Sequence, residues 1–233
     1  MYTCMTRRRL EVVLEFIDKY SRFIPLNLIS YFVGWLVSLE APSPIGSFLN
    51  KAFVFLFSIN MKEAEKDISE YKTIQDIFTR KLKDGEREIE SVLVSPADGT
   101  LSQSALATND TALQAKGLTY SLKTMVYGEN NLGKSNLAAY STVYLAPHNY
   151  HRVHAPVSGL LKAMRYIPGE LWPVNQPFVK WFPNIFVRNE RLIFDIETSS
   201  GAMVHVVMVG ALNVGKIYSD FIPGFYPSLH PLW

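Results

Sequence analysis

Leu192-Ile193-Phe194-Asp195-Ile196 and Val204-His205-Val206-Val207-Met208-Val209, separated by the Ser200-Gly201 pair, decide the fold class. Both runs are rich in β-branched residues and a turn dipeptide divides them, which is the pattern of short strands rather than of a helix. Working outward, Val92-Leu93-Val94, Thr142-Val143-Tyr144-Leu145 and residues 160–166 are further strand candidates, with turns at Asp98-Gly99, Ser158-Gly159 and Pro168-Gly169. Helical stretches do not alternate regularly with these runs. The expectation is therefore an α+β fold in which residues 61–217 form a mainly antiparallel, β-rich domain.

Ahead of that domain the chain is apolar and helical in pattern. Leu10, Val13, Leu14 and Ile17 fall at helical spacing opposite Glu11, Glu15 and Asp18. Residues 23–39 carry no charge and residues 52–59 hold three phenylalanines. Seventeen uncharged residues are the lower limit for a membrane span. Residues 1–60 are expected to be membrane-associating helices, the other reading being a buried helical layer. In the ordinary composition that follows, Thr73 and Asp76 offer a cap for a short helix running through Phe78 to Leu82.

With 48% hydrophobic and 19% charged residues the chain has the makings of a buried core and is not a disordered polymer. A net charge of +2 argues against nucleic acid as a partner, and the one dense basic run, Arg7-Arg8-Arg9, suits anionic lipid as well as solvent. Cys4 is the single cysteine, so no intrachain disulfide is possible. The charges within residues 10–19 interrupt any signal-peptide core.

Three of the five histidines crowd into Pro147-His148-Asn149-Tyr150-His151-Arg152-Val153-His154-Ala155-Pro156. Histidine titrates near neutrality, so such a cluster suits proton transfer or metal binding. Zinc fits poorly here, because the two prolines exclude a long helix and an extended backbone would set His151 and His154 on opposite faces. Asp98 stands at a tight turn after an apolar run. Alone it reads as a turn residue, and beside a histidine it becomes a carboxylate able to orient an imidazole.

A competing motif is Gly128-Glu129-Asn130-Asn131-Leu132-Gly133-Lys134-Ser135, which matches the phosphate-cradling pattern of nucleotide-binding loops. Such a loop needs a buried apolar strand before it and a long helix after it. Lys123 interrupts the first and Pro147 comes too soon for the second, so a polar loop is the preferred reading.

Several motifs in register resemble the pyruvoyl-dependent phosphatidylserine decarboxylases. They are Ser95-Pro96-Ala97-Asp98-Gly99, Gln114-Ala115-Lys116-Gly117 with Tyr120-Ser121-Leu122, Tyr150-His151-Arg152-Val153-His154-Ala155-Pro156, Pro168-Gly169-Glu170-Leu171-Trp172-Pro173-Val174-Asn175, Asn189-Glu190-Arg191, and Val209-Gly210-Ala211 with Asn213-Val214-Gly215. The resemblance implies a carboxy-lyase that turns phosphatidylserine into phosphatidylethanolamine and carbon dioxide. It implies membrane association at the cytoplasmic face of the cell membrane, with room for a homo-oligomer. It also implies a pyruvoyl cofactor made from the chain itself, when a serine in a Gly-Ser-Thr motif attacks the preceding carbonyl. His154 would take that serine's proton, with Asp98 holding the imidazole. His151 would act in decarboxylation, and Trp172, Val174 and Asn175 would lie by the substrate.

No Gly-Ser-Thr triplet occurs in the 233 residues, and residues 218–233 do not follow the resemblance. The expectation is a C-terminally truncated family member that keeps its acid and bases and cannot form pyruvoyl alone. A non-catalytic lipid-binding relic and a nucleotide-binding protein are the other readings.

Overall fold

The computed structural model of the protein describes residues 25–107, 109–115, 117–129, 139–215 and 217–219. The basic run at Arg7-Arg8-Arg9, the amphipathic segment from Leu10, the last part of the glycine-lysine loop and the tail from residue 220 lie outside the described residues.

Helices α1 (Leu26–Val37) and α2 (Ile45–Phe57) come first, and both are turned inside out. Their buried positions are polar or small: Ser30 at 6% exposure and Asn50 at 4%, with Gly46 beside them. Their apolar side chains face outward, with Phe48 70%, Phe55 86% and Leu56 74% exposed, and Leu28, Phe32, Trp35 and Leu36 open on α1. Single exposed apolar residues need no explanation, whereas a contiguous array of this size does. At 12 and 13 residues the helices reach only about 18–20 Å, short of the ~30 Å hydrocarbon core of a bilayer. No helix among the described residues is long and apolar enough to cross a membrane.

A charged arm leads on from α2. Residues 63–65 run antiparallel to residues 81–83, bridged at Ala64 and Leu82, with Glu65 N–H donating to Lys81 O at 2.9 Å. Within this arm α3 (Ile74–Phe78) is capped as its sequence requires. Thr73 Oγ1 accepts from Asp76 N at 3.0 Å, and the Asp76 carboxylate accepts from Thr73 N at 3.2 Å. The helix ends at Phe78, four residues short of the expected Leu82, because residues 81–83 spend their backbone groups on the arm instead.

Among the described residues seven strands follow, all paired antiparallel. Strands β1 (Thr100–Leu106) and β4 (Ala139–Tyr144) form one ribbon, β2 (Thr111–Ala115) and β3 (Leu118–Ser121) a second, and β5 (Leu160–Ile167), β6 (Arg191–Glu197) and β7 (Met203–Val209) a three-stranded sheet. Helices α4 (Leu122–Tyr127), α5 (Gln176–Trp181) and α6 (Ile185–Arg188) fill the connections. The α+β class and the antiparallel pairing are as expected. Residues 92–94 are a correction: they form only a bridge, Leu93 with Val157, plus one bond from Val94 N to Pro156 O at 2.9 Å. Pro96 and Pro156 carry no N–H, so the ladder cannot continue.

The sheet is locked to the short helices by Arg191, 2% exposed. Its guanidinium donates to the carbonyls of Thr124, Met125, Val187 and Asn189 at 2.8–3.0 Å. Those carbonyls close α4 and α6, where the partial negative charge of a helix end favours a cation. Burial pulls its pKa down to about 10, which leaves it charged at neutral pH.

Candidate active site

The site is built on the end of α3. The His151 ring lies 3.8 Å, centroid to centroid, from Phe78. Arg152 Nε donates to Thr79 O at 3.0 Å, and Arg80 Nη2 donates to His148 O at 3.1 Å. Three successive residues of α3 and its C-terminus thus hold the histidine stretch. Asn149 closes a turn within it, accepting from Ala146 N at 2.7 Å.

His151 is half-buried, and its Nδ1 lies 2.9 Å from Asn149 O. A carbonyl only accepts, so Nδ1 carries the hydrogen and the lone pair sits on Nε2. Burial pulls the imidazole down to about 4, against the help of the Asn149 carbonyl, and the Arg80 charge and His148 add to the fall. His151 is therefore a neutral base at pH 7.

The turn at Asp98 lies against the same stretch. Asp98 bridges Tyr150 antiparallel, and His154 N–H donates to Pro96 O at 2.8 Å. Asp98 and His154 are thus brought onto two adjacent backbone segments. Gly99 is required there, since a Cβ would sit 2.4 Å from Tyr144 O. His154 is exposed, and its ring stacks on Tyr150 at 5.7 Å. The Asp98 carboxylate accepts from Arg87 Nε at 3.0 Å and Nη2 at 2.6 Å, while Arg87 also grips Glu63 at 2.7 Å. Among the described residues Asp98 is thus hydrogen-bonded to Arg87 and not to the imidazole it was expected to orient. His148 is exposed, and its carbonyl accepts from Arg80 Nη2.

The expected substrate loop is placed differently from the histidines. Trp172, 4% exposed, packs with Val179, Phe182 and Ile185, and Val174 and Leu26 border that cluster. The Asn189 amide fixes its backbone, accepting from Trp172 N at 2.9 Å and donating to Trp172 O at 2.9 Å and Gly210 O at 2.8 Å. Trp172 Nε1 donates to Glu170 Oε2, which also accepts from Arg188, whose guanidinium lies 4.7 Å from the indole. Asn175 is exposed at the N-terminus of α5. No Cβ fits at Gly169, where it would meet Arg188 O at 2.3 Å. The loop is thus a rigid floor with Trp172 in the core.

Two features escaped the sequence. Arg80 and Arg87 reach the histidine and Asp98 segments from elsewhere in the chain, and nothing local to either of them signals this. In the three-stranded sheet, buried Asp195 accepts from Arg165 Nη2 at 2.9 Å and lies 2.7 Å from His205 Nδ1, pairing the carboxylate with both neighbours. The glycine-lysine loop fails its structural requirement: the segment before Gly128 is helix α4, where a phosphate-binding loop needs a strand. Among the described residues no group of three or more acidic, histidine or cysteine side chains could hold a metal ion.

A neutral base, an exposed second histidine and an adjacent carboxylate on an antiparallel α+β scaffold are the makings of an acid–base enzyme. The comparisons give its particular kind. The family model described as phosphatidylserine decarboxylase matches residues 74–227. A phosphatidylserine decarboxylase proenzyme of Myxococcus xanthus (strain DK1622) is 38% identical over 207 residues, covering 87% of this chain and 73% of that protein. Proteins of the same name from Anaeromyxobacter sp. (strain K) and Francisella tularensis subsp. novicida (strain U112) are 37% and 40% identical, covering 90% and 88% of the chain and 77% and 74% of their own lengths. The chain belongs to the phosphatidylserine decarboxylase family, carboxy-lyases that convert phosphatidylserine to phosphatidylethanolamine.

Proposed function

We propose that these residues carry the acid–base machinery and the bilayer seat of a phosphatidylserine decarboxylase. The observation that supports this reading is the pairing of the Asp98 turn with the His151–His154 stretch, through the Asp98–Tyr150 bridge and the His154-to-Pro96 bond. In the self-cleavage step His154, exposed and on the segment beside Asp98, takes the serine proton. Arg87 holds the Asp98 carboxylate on that neighbouring segment, where a negative charge favours the imidazolium formed at His154.

The pyruvoyl group made by that cleavage supplies an electron sink as carbon dioxide leaves. No Gly-Ser-Thr serine is among these 233 residues. His151, its Nδ1–H fixed on Asn149 O and its lone pair on Nε2, is oriented to pass a proton through Nε2 at the substrate carbon. The floor formed by Trp172, Val174 and Asn175 borders the substrate. The outward apolar faces of α1 and α2 lie in the interface of the cytoplasmic leaflet, since neither helix is long enough to span it.

The test is a chimera in which a family C-terminal segment bearing Gly-Ser-Thr is joined after Ile217. The wild-type fusion should split into two chains and release carbon dioxide from phosphatidylserine. Asp98→Asn and His154→Ala should block the split, by about a hundredfold or more in rate. His151→Ala should split normally yet release no carbon dioxide. Normal cleavage in both Asp98→Asn and His154→Ala would overturn the assignment.

A further inference from the structure

The Asp98 carboxylate is held by one oxygen. Arg87 Nε at 3.0 Å and Nη2 at 2.6 Å both donate to Oδ2, and Oδ1 accepts no hydrogen bond among the described residues. An arginine fork commonly meets a carboxylate with one nitrogen on each oxygen, which would have covered both. Here the guanidinium closes on Oδ2 alone because its remaining donors are engaged. Nη2 also donates to Glu63 Oε2 at 2.7 Å, and Nη1 donates to Glu86 O at 2.7 Å. Glu63 is fixed in turn, since its Oε1 accepts from Asn60 Nδ2 at 2.7 Å. Two carboxylates and one guanidinium leave this cluster one net negative charge. The open oxygen belongs to a residue that shares a neighbour with His154. Tyr150 stands opposite Asp98 in the antiparallel bridge, and its ring stacks on His154 at 5.7 Å. Residues directly opposite in an antiparallel pair project to the same side, so acid and base border one aromatic ring.

We propose that Arg87 and Glu63 are positioning residues for self-cleavage: Arg87 holds Asp98 by Oδ2 so that Oδ1 stays open to the His154 imidazole, and Glu63 fixes Arg87 and offsets its charge. This rests on the self-cleavage reading above and adds to it the residues that set the carboxylate. Without Arg87 the Asp98 side chain turns freely and meets water with both oxygens, so it must be ordered anew each time the imidazole is to be held. Without Glu63 the guanidinium loses its second anchor, and its charge cancels that of Asp98. The three side chains are 32–44% exposed, so their ion pairs contribute little to stability. Their effect on the cleavage rate is therefore separable from any effect on folding.

The test measures the rate of chain splitting in the fusion described above, with wild type and Asp98→Asn as the two reference rates. Arg87→Gln should slow splitting by about tenfold to a hundredfold, the worth of a charged hydrogen bond. Arg87→Lys should fall between Arg87→Gln and wild type, because an ammonium keeps the charge but cannot hold Oδ2 through two nitrogens. Glu63→Gln should slow splitting by about threefold to tenfold. Adding Glu63→Gln to Arg87→Gln should slow it no further, since Glu63 acts through Arg87. Melting temperatures of the same variants in the 233-residue chain should stay within about 4 °C of wild type. Splitting at the wild-type rate in Arg87→Gln overturns the proposal, as do additive losses in the double variant or a larger fall in melting temperature that accompanies the slowing. Arg87→Lys at the wild-type rate would show that charge alone suffices, and overturns it too. These results leave Asp98 and His154 in their roles. A wild-type fusion that does not split overturns the self-cleavage reading itself.

Discussion

At His151 burial and charge act in the same direction, and the consequence is measurable. The folded imidazole sits near pH 4 and the unfolded one near 6.5, so the unfolded chain takes up the proton first as the pH falls. Stability from this residue is complete above pH 6.5, is lost between about 6.5 and 4, and then levels off, a total of about 3 kcal/mol. Urea unfolding of wild type and His151→Gln at pH 7.5 and 4.5 checks it. The wild type should lose about 2–3 kcal/mol more than the variant over that interval. Comparing the two chains cancels Glu190, whose carboxyl burial pushes up and which pulls the other way. Equal losses would show that His151 is not buried as a neutral base. The Asp98 turn and the His151–His154 stretch were readable in the sequence as local motifs, and the structure sets their backbones side by side. Arg87 on Asp98 and Arg80 behind His148 were not, since each partner lies across a fold that has to form first.

Among the elements, legibility follows the range of the interactions that specify them. The Thr73–Asp76 cap was readable because both of its bonds span three residues. Strand β1, Thr-Leu-Ser-Gln-Ser-Ala-Leu, was not, because it is mostly exposed, polar at alternate positions, and held by pairing with β4 some forty residues away. Helices α1 and α2 show a third case. Their apolar character was plain, yet only the structure reveals that Ser30 and Asn50 face inward and the phenylalanines outward. That orientation predicts vesicle binding carried by the exposed face. Phe55→Asp with Leu56→Asp removes two side chains worth about 1.5–3 kcal/mol each on full burial. The doubly substituted chain should fall at least about a hundredfold in affinity for phosphatidylserine-containing vesicles in a flotation assay. Its melting temperature should not change, because both side chains are already in solvent. Retained binding would assign the apolar face to some other surface.

For the whole molecule, the polar pins beneath those helices connect their exposed apolar face to the Trp172 loop and the support of the histidine stretch. Asn27 Nδ2 donates to Gly169 O at 3.0 Å and Ser30 Oγ accepts from Asn213 N at 3.0 Å, while Leu26 borders the Trp172 cluster. Asn50 Nδ2 donates to Tyr71 O at 2.7 Å, two residues before the cap of α3, the helix that carries Phe78 against His151. Helix α1 is therefore bolted to the floor beside Trp172, and α2 to the support of the histidines. An apolar residue at any of the three positions would leave a backbone group without its partner and free the helix to shift. Replacing both Asn27 and Ser30 with alanine should cost about 1–2 kcal/mol locally, which is roughly a fivefold to thirtyfold rise in amide hydrogen exchange. The Asn213 amide loses its acceptor directly and should speed up whatever the mechanics. The Trp172 amide is the discriminating one, since Asn189 Oδ1 still accepts from it and only a loosened floor can expose it. Faster exchange at both amides would show that α1 holds the floor in place. Faster exchange at Asn213 with Trp172 at its wild-type rate would show that the helix merely rests on a floor that Asn189 keeps rigid unaided.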